Sequence, residues 1–329
     1  MTSLRVVAPD GVGEISEGDD LGQVLLAACR DAGVELADGD VVTITSKVVS
    51  KAEGRQRTGD RESAIAGESV RVVARRGPTT IVRNHLGLTM AAAGIDASNV
   101  AAGQFLLLPL DPDATARRVR QDVLAGTGRN VAVLVTDTAG RPWRNGQTDI
   151  AIGAAGLVVL EEFAGRIDDY GNPLAVTAPA VADELAGLSE LASGKLGGRP
   201  FTVISGRADL VLPPGEHGSG AGALVREDGA DMFGLGSREA VVRALAGTDG
   251  AIFGAPAVAA DLHAAAVDVF GPAEVIDGPG GAARVVVRGV SEPSAYAARA
   301  LAHAFGWHVR VTTAAVAGTV DVSFLPPTP

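Results

Sequence analysis

The chain has 329 residues and a net charge of −11, with 47% apolar and 20% charged residues. That composition allows a large core and excludes general disorder. The acidic balance argues against a protein that coats nucleic acid, but leaves room for a small phosphate-bearing substrate held by a few local cations. A single cysteine, Cys29 in LGQVLLAACRDAG, excludes an intramolecular disulfide and reads as a small buried hydrophobe. The N-terminus MTSLRVVAPDGVGEI lacks signal-peptide architecture. The longest apolar stretch, IAIGAAGLVVL, is closed by Glu161 and Glu162, short of the roughly 18 residues of a membrane span. A soluble, cytoplasmic protein with neither membrane nor nucleic-acid partner is expected.

In chain order, LRVVAP reads as a strand. DDLGQVLLAACRDAG has helical spacing, opens at an Asp N-cap and ends at Gly33. DVVTITSKVVSK is β-branched and reads as a strand passing into a polar turn. Gly54 to Gly67 is charged and reads as a loop or insertion. DPDATARRVRQDVLAGTG is a helix with Pro near its start, NVAVLVTDT a buried strand, VADELAGLSELASG a helix and PFTVISG a strand. Composition shifts after Leu245, and AGTDGAIFGAPAV looks like a junction. The tail offers one helix, PSAYAARALAHAFGW, and three strands, ARVVVRG, HVRVTTAAV and TVDVSFL, the last two joined as a hairpin at Ala317-Gly318. These alternations predict a mixed α/β (α+β) chain with a large domain over 1–245 and a small α+β domain over 246–329.

Four polar constellations stand out. A strand ending in Asp137-Thr138 before a Gly-rich turn suits presentation of a carboxylate and a hydroxyl to Mg²⁺ or Mn²⁺, which take oxygen ligands; the alternative is a cap on the next segment. Asp96 and Asn99 share one face if their segment is a helical turn, or belong to an ordinary turn. Ser46, Lys47, Ser50, Lys51 and Arg55 follow a strand, and ammonium groups with hydroxyls suit a triphosphate, although no Walker A spacing is present. ASGKLGGRP places Lys195 and Arg199 among glycines, whose N–H groups are able to cradle phosphate. Each has a bland reading as a turn or solvated loop; together they share one chemistry.

The blocks DGDVVTITSKVVSKAEGR, LGLTMAAAGIDASNV, LPLDPDATARRVR, VTDTAGRPWRNGQTDIAIGAAGL and DDYGNPLAVTAPAVADELAGLSELASGKLGGRPFTVISG resemble, in order, the GTP-dependent coenzyme F420 gamma-glutamyl ligases. The likeness covers most of residues 4–245 and is nearest to the actinobacterial branch, without that branch's C-terminal nitroreductase-like domain. It implies a two-lobed fold and a homodimer. It implies that Asp96 and Asp137 hold one divalent cation, Mg²⁺ or Mn²⁺, and that Thr138 helps hold a second, with K⁺ a further candidate. Ser46, Lys47 and Lys51 would bind GTP phosphates and Asn99 the nucleotide. Val12, Gly13, Glu14 and Ile15 would line the nucleotide site, with Gly194, Lys195 and Gly197 forming another part of it. Two departures are visible. Gly13 replaces the family's usual Pro, and Lys195 stands where some members carry a metal-proximal Gln, so Lys195 is assigned to phosphate or a substrate carboxylate.

The reaction so implied is amide formation through an acyl phosphate. The terminal carboxylate of the F420 precursor, F420-0, takes the γ-phosphate of GTP, and L-glutamate then displaces phosphate, with later glutamates added through the γ-carboxylate. Arg144, with Arg141 and Asn145, is a candidate for holding carboxylates or phosphates bidentately, and Arg144 is grouped with Asp96 and Asp137 as catalytic. Trp143 is able either to stack on a ring or simply to pack. Competing expectations are a related GTP-dependent amide ligase acting on another acid, and a non-catalytic nucleotide- or deazaflavin-binding protein.

Overall fold

The computed structural model describes residues 3–277 and 283–327. The chain divides into two compact units. The first comprises Met1–Val72 and Gly77–Val225, the second Val73–Arg76 and Arg226–Pro329. Residues 226–245 group with the second unit in this division.

The first unit contains β1 (Arg5–Val7), α1 (Leu21–Asp31), β2 (Val41–Thr45), α2 (Ser46–Ala52), β3 (Gln56–Thr58), α3 (Arg61–Gly67), the start of β4 (Ser69–Arg76), β5 (Thr79–Asn84), β6 (Thr89–Ala91) and β7 (Gln104–Leu106). These are followed by α4 (Pro112–Thr127), β8 (Ala132–Gly140), β9 (Gln147–Ala155), α5 (Val181–Ser193) and β10 (Phe201–Ser205). Its largest sheet has the order β1-β10-β2-β8-β9, with β2 and β8 parallel and the other neighbours antiparallel. Local signals place the helices as expected: the Asp20 carboxylate caps α1 at Gln23 N–H, and Pro112 sits in the first turn of α4 behind the Asp111 cap. Two segments differ from expectation. The polar run after β2 is a helix, α2, and Gly54–Gly67 contains β3 and α3 rather than only loop.

Period-two alternation sends the two faces of the sheet into two cores. Val42, Ile44, Val133 and Val135 join α1 and α4 residues in one cluster; Val41, Ala132, Leu134 and Ile204 join α5 residues in the other. On the second face the pattern changes along the strands. Val41 is followed by Thr43 and Thr45, and Leu134 by Thr136 and Thr138. Thr43 pairs with Thr202 and Thr45 with Thr136 across the ladder, so the apolar face ends in a patch of hydroxyls. Register between β8 and β9 shifts between Val135 and Thr136. The extra residue on β9 is a bulge: Ile152 and Ala155 face the first core, Ala151 and Ala154 the second. Gly153, inside it, is required by packing, because a Cβ there would come within 2.5 Å of the Pro112 backbone of α4.

The second unit, by itself, contains α6 (Ser237–Ala246), α7 (Ala259–Phe270), β11 (Ala273–Asp277), β12 (Ala283–Ser291), α8 (Ser294–Ala304), β13 (His308–Thr313) and β14 (Thr319–Leu325). Its antiparallel sheet, ordered β11-β12-β14-β13, buries Val285, Val287, Val322 and Phe324 against Leu262, Ala266, Ala298 and Ala302 of α7 and α8. The β13–β14 hairpin lies where expected, with Gly318 at positive φ. α7 and β11 were not anticipated: in ADLHAAAVDVF the alanines dilute the helical apolar stripe. No helix among the described residues is long and apolar enough to cross a membrane.

Candidate functional site

A cavity of about 350 Å³ opens beside the threonine patch of the first unit. Its floor is Thr43, Thr45, Thr136, Thr138 and Thr202; its walls come from the 12–15 segment, α2, the end of α5 and the Gly-rich loop after it. Val12, Gly13, Glu14, Ile15, Lys47, Lys51, Asn99, Thr138, Gly194 and Lys195 all line it. The sequence had therefore pointed to residues up to 183 positions apart that meet at one place, Val12 and Lys195 being the extremes. Gly197 lies in the same loop, but its neighbours Gly198 and Arg199 face the cavity instead.

Asp137 lies on the opposite strand face to Thr136 and Thr138. It is nearly inaccessible and accepts a 2.6 Å hydrogen bond from Ser46 Oγ. Burial pushes its carboxyl up to about 6; Ser46 and the Lys47 charge oppose that rise, while Asp149 and Asp96 add to it. Lys47 Nζ pairs with Asp96 Oδ2 at 2.7 Å. Burial alone would lower the Lys47 ammonium, but the Asp96 bond and charge, with Asp137 and Asp149 behind them, hold it above its ordinary value. Burial likewise disfavours ionised Asp96, and is outweighed by Lys47 and by the N–H and hydroxyl of Ser98, so Asp96 lies below the usual carboxylate value. Lys51 is buried and pairs with Glu14, and Arg199 pairs with Asp10.

Of the two readings of the Asp96–Asn99 segment, the geometry supports the ordinary turn, with Ser98 and Asn99 in a turn. Asp96 makes an isolated antiparallel bridge to Leu106, and Asn99 has a φ of 57°, so the segment is not a helical turn. Arg141, Trp143, Arg144 and Asn145 are brought elsewhere. They form the exposed tip of the β8–β9 hairpin, closed by Arg141 donating to the Asn145 carbonyl, and none of them lines the cavity. Arg144, grouped from sequence with Asp96 and Asp137 as catalytic, stands on this exposed tip.

Two acidic residues with no role assigned from sequence join the site. Asp149 accepts from Thr138 Oγ1 at 2.7 Å and from Thr136 Oγ1 at 3.2 Å, and Lys195 Nζ donates to Thr138 Oγ1 at 3.0 Å. Glu190 of α5 also lines the cavity; burial, then the Asp149 charge, raise its carboxyl, with Lys195 and Lys47 opposing. Asp149 stands within the quoted TDTAGRPWRNGQTD run, but only the bulge reveals its direction. Glu190 carried no signal beyond helical spacing.

Carboxylate and hydroxyl oxygens like those of Asp96, Asp137 and Thr138 are the ligands a hard divalent cation takes, with Asp137 and Thr138 on opposite faces of β8. Among the described residues, no three His, Cys, Asp or Glu side chains form a ready metal cage, so such a cation would draw further oxygens from its substrate. The cavity as a whole combines lysines, hydroxyls and backbone N–H groups, which can hold a polyanion and neutralise charge that develops on it.

Comparison with known proteins agrees with this layout. The F420-0:Gamma-glutamyl ligase family model matches residues 11–64 and 58–206, which carry the cavity. The chain is 35% identical over 224 residues to the coenzyme F420:L-glutamate ligase of Methanothermobacter thermautotrophicus, covering 62% of this chain and 89% of that one. It is 38% identical over 223 residues to the enzyme of the same name from Archaeoglobus fulgidus, covering 62% and 88%.

Proposed function

The chain belongs to the F420-0:gamma-glutamyl ligase family, and from that premise we propose that it is a GTP-dependent ligase. It adds L-glutamate to F420-0 and extends the γ-linked tail, acting as a homodimer. One observation carries the assignment: Lys47, Lys51, Lys195 and Arg199 line a hydroxyl-floored cavity, and Lys47 is paired with Asp96.

In this mechanism Lys47 and Lys51 neutralise the triphosphate, and the 194–199 loop offers N–H groups and Lys195 to its oxygens. The F420-0 carboxylate attacks the γ-phosphorus and GDP departs, leaving an acyl phosphate. The glutamate amine attacks the acyl carbon, loses its proton, and expels phosphate as the amide forms. Asp96 and Asp137 would hold one Mg²⁺ or Mn²⁺ and Thr138 would help hold a second, which when bound supply charge neutralisation to the phosphates. Positioning accounts for much of the remainder. Lys47 also separates Asp96 from Asp137 electrostatically, so it organises the carboxylates as well as the phosphates.

The test is mass spectrometry of purified protein with F420-0, L-glutamate, GTP and Mg²⁺ or Mn²⁺. Products heavier by glutamyl units, formed only when glutamate and GTP are both present, are expected. Binding of F420-0 without any glutamylated product would overturn the ligase assignment in favour of a binding protein.

A further inference from the structure

Asp149 faces the cavity for a specific reason. If β8–β9 pairing continued from Val133↔Ala155 without a shift, Ile150 would stand opposite Thr138, and Asp149 would stand opposite Ala139 on the other face. The bulge before Thr136 instead sets Asp149 opposite Thr138. There it is 6% exposed, and each carboxylate oxygen is taken by a different hydroxyl of β8: Oδ1 by Thr138 and Oδ2 by Thr136.

A threonine hydroxyl has one proton and two lone pairs. Once Thr138 gives its proton to Asp149, its oxygen has only lone pairs left for the cavity. Lys195 Nζ already uses one of these, donating at 3.0 Å. The chain of donors therefore runs one way, from ammonium to hydroxyl to carboxylate. A Thr138 held in this sense accepts from a cation and does not donate to a phosphate.

We infer that Asp149 is a positioning residue: by taking the Thr138 proton, it makes the Thr138 oxygen an obligate acceptor that faces the cavity, for Lys195 and for a divalent cation. This rests on the ligase reading of the site and adds to it a residue outside the donor set.

The experiment compares full-length wild type, Asp149→Asn, Thr138→Val and the double variant. Three quantities are read: kcat and KM for GTP in glutamate addition, Mn²⁺ affinity in the presence of GTP by the EPR signal of free Mn²⁺, and the melting profile. The amide introduced by Asp149→Asn both accepts and donates, so it no longer dictates the Thr138 proton. Asp149→Asn is expected to lower kcat and to weaken Mn²⁺ binding by about 10–100-fold, the scale seen when groups supporting a metal ligand are removed. KM for GTP should change far less. Thr138→Val should give a similar loss, and the double variant should be no worse than the poorer single one, because both remove the same interaction.

Losses that multiply in the double variant, or wild-type Mn²⁺ affinity in Asp149→Asn, would overturn the inference. If Asp149→Asn does not fold, unchanged kcat and Mn²⁺ affinity in the near-isosteric Thr138→Val overturn it alone. A wild type that binds Mn²⁺ with GTP but makes no glutamylated product would count against the ligase reading, while the binding comparison would still judge Asp149.

Discussion

The two units bury different things. The core of the second, built from Leu262, Ala266, Val285, Val287, Ala298, Val322 and Phe324, is apolar, and no polar or charged residue there is buried among the described residues. The first unit buries Asp40, Lys51, Arg120, Asp137 and Asp149, together with a set of threonines and serines. Arg120 shows what that requires: its guanidinium donates to the carbonyls of Val131, Leu212 and Pro213 and to the Asn130 side chain. Buried polar groups are tolerated when partnered and are costly otherwise. The contrast teaches that buried charge serves two ends in the first unit: Lys51 and Asp149 line the cavity, whereas Arg120 ties loop carbonyls together, and the second unit's core does neither.

That contrast can be broken in several ways. The largest effect is expected for Asp137→Ala, which should lower glutamate-dependent GTP turnover on the order of 10²–10³-fold or more, the scale of removing a preorganised charge-stabilising group. Circular dichroism should remain that of a folded protein, and retained turnover would remove Asp137 from the site. Next, Phe324→Ala should destabilise the second unit by about 3–5 kcal/mol through the cavity it leaves, read by denaturant melting, with kcat of glutamate addition unchanged. A parallel loss of kcat would mean that the apolar unit serves the chemistry after all.

A pH experiment sharpens the comparison further. The Asp137 carboxyl stands at about 6 in the fold against 3.8 outside it. Between those values the folded state binds more protons than the unfolded one. The stability this group contributes is therefore complete below about pH 4 and is lost as pH rises through about 6. For metal- and nucleotide-free protein the loss is about 3 kcal/mol, and Asp137→Asn should abolish that part of the pH dependence in urea titrations. Persistence of the same slope in the variant would place the titrating group elsewhere. The smallest effect is expected at Asp20, whose carboxylate accepts from Gln23 N–H. Asp20→Ala should cost about 1 kcal/mol of stability and leave kcat untouched.

Much of this protein was determined by local sequence. Short apolar, β-branched runs specified β2, β8 and β10; Asp20 and Asp111 specified the starts of α1 and α4; and the runs around Ser46, Asp96, Asp137 and Lys195 marked the polar segments. These signals are legible because strand alternation, caps and turn residues act within a few positions of themselves. Other features were decided only by tertiary structure. The turn-like SKVVSK run is a helix, the spread alanines of ADLHAAAVDVF form α7, and Arg144 stands exposed at the hairpin tip. Asp149 is the clearest case. Its identity was visible from the start, but its direction depends on one extra residue in β9, accommodated where Gly153 lets α4 approach. A one-residue change of register reverses the face of every side chain beyond it. Register is set by the pairing across the β8–β9 hairpin and by packing against α4, and the side-chain pattern within β9 alone fixes neither.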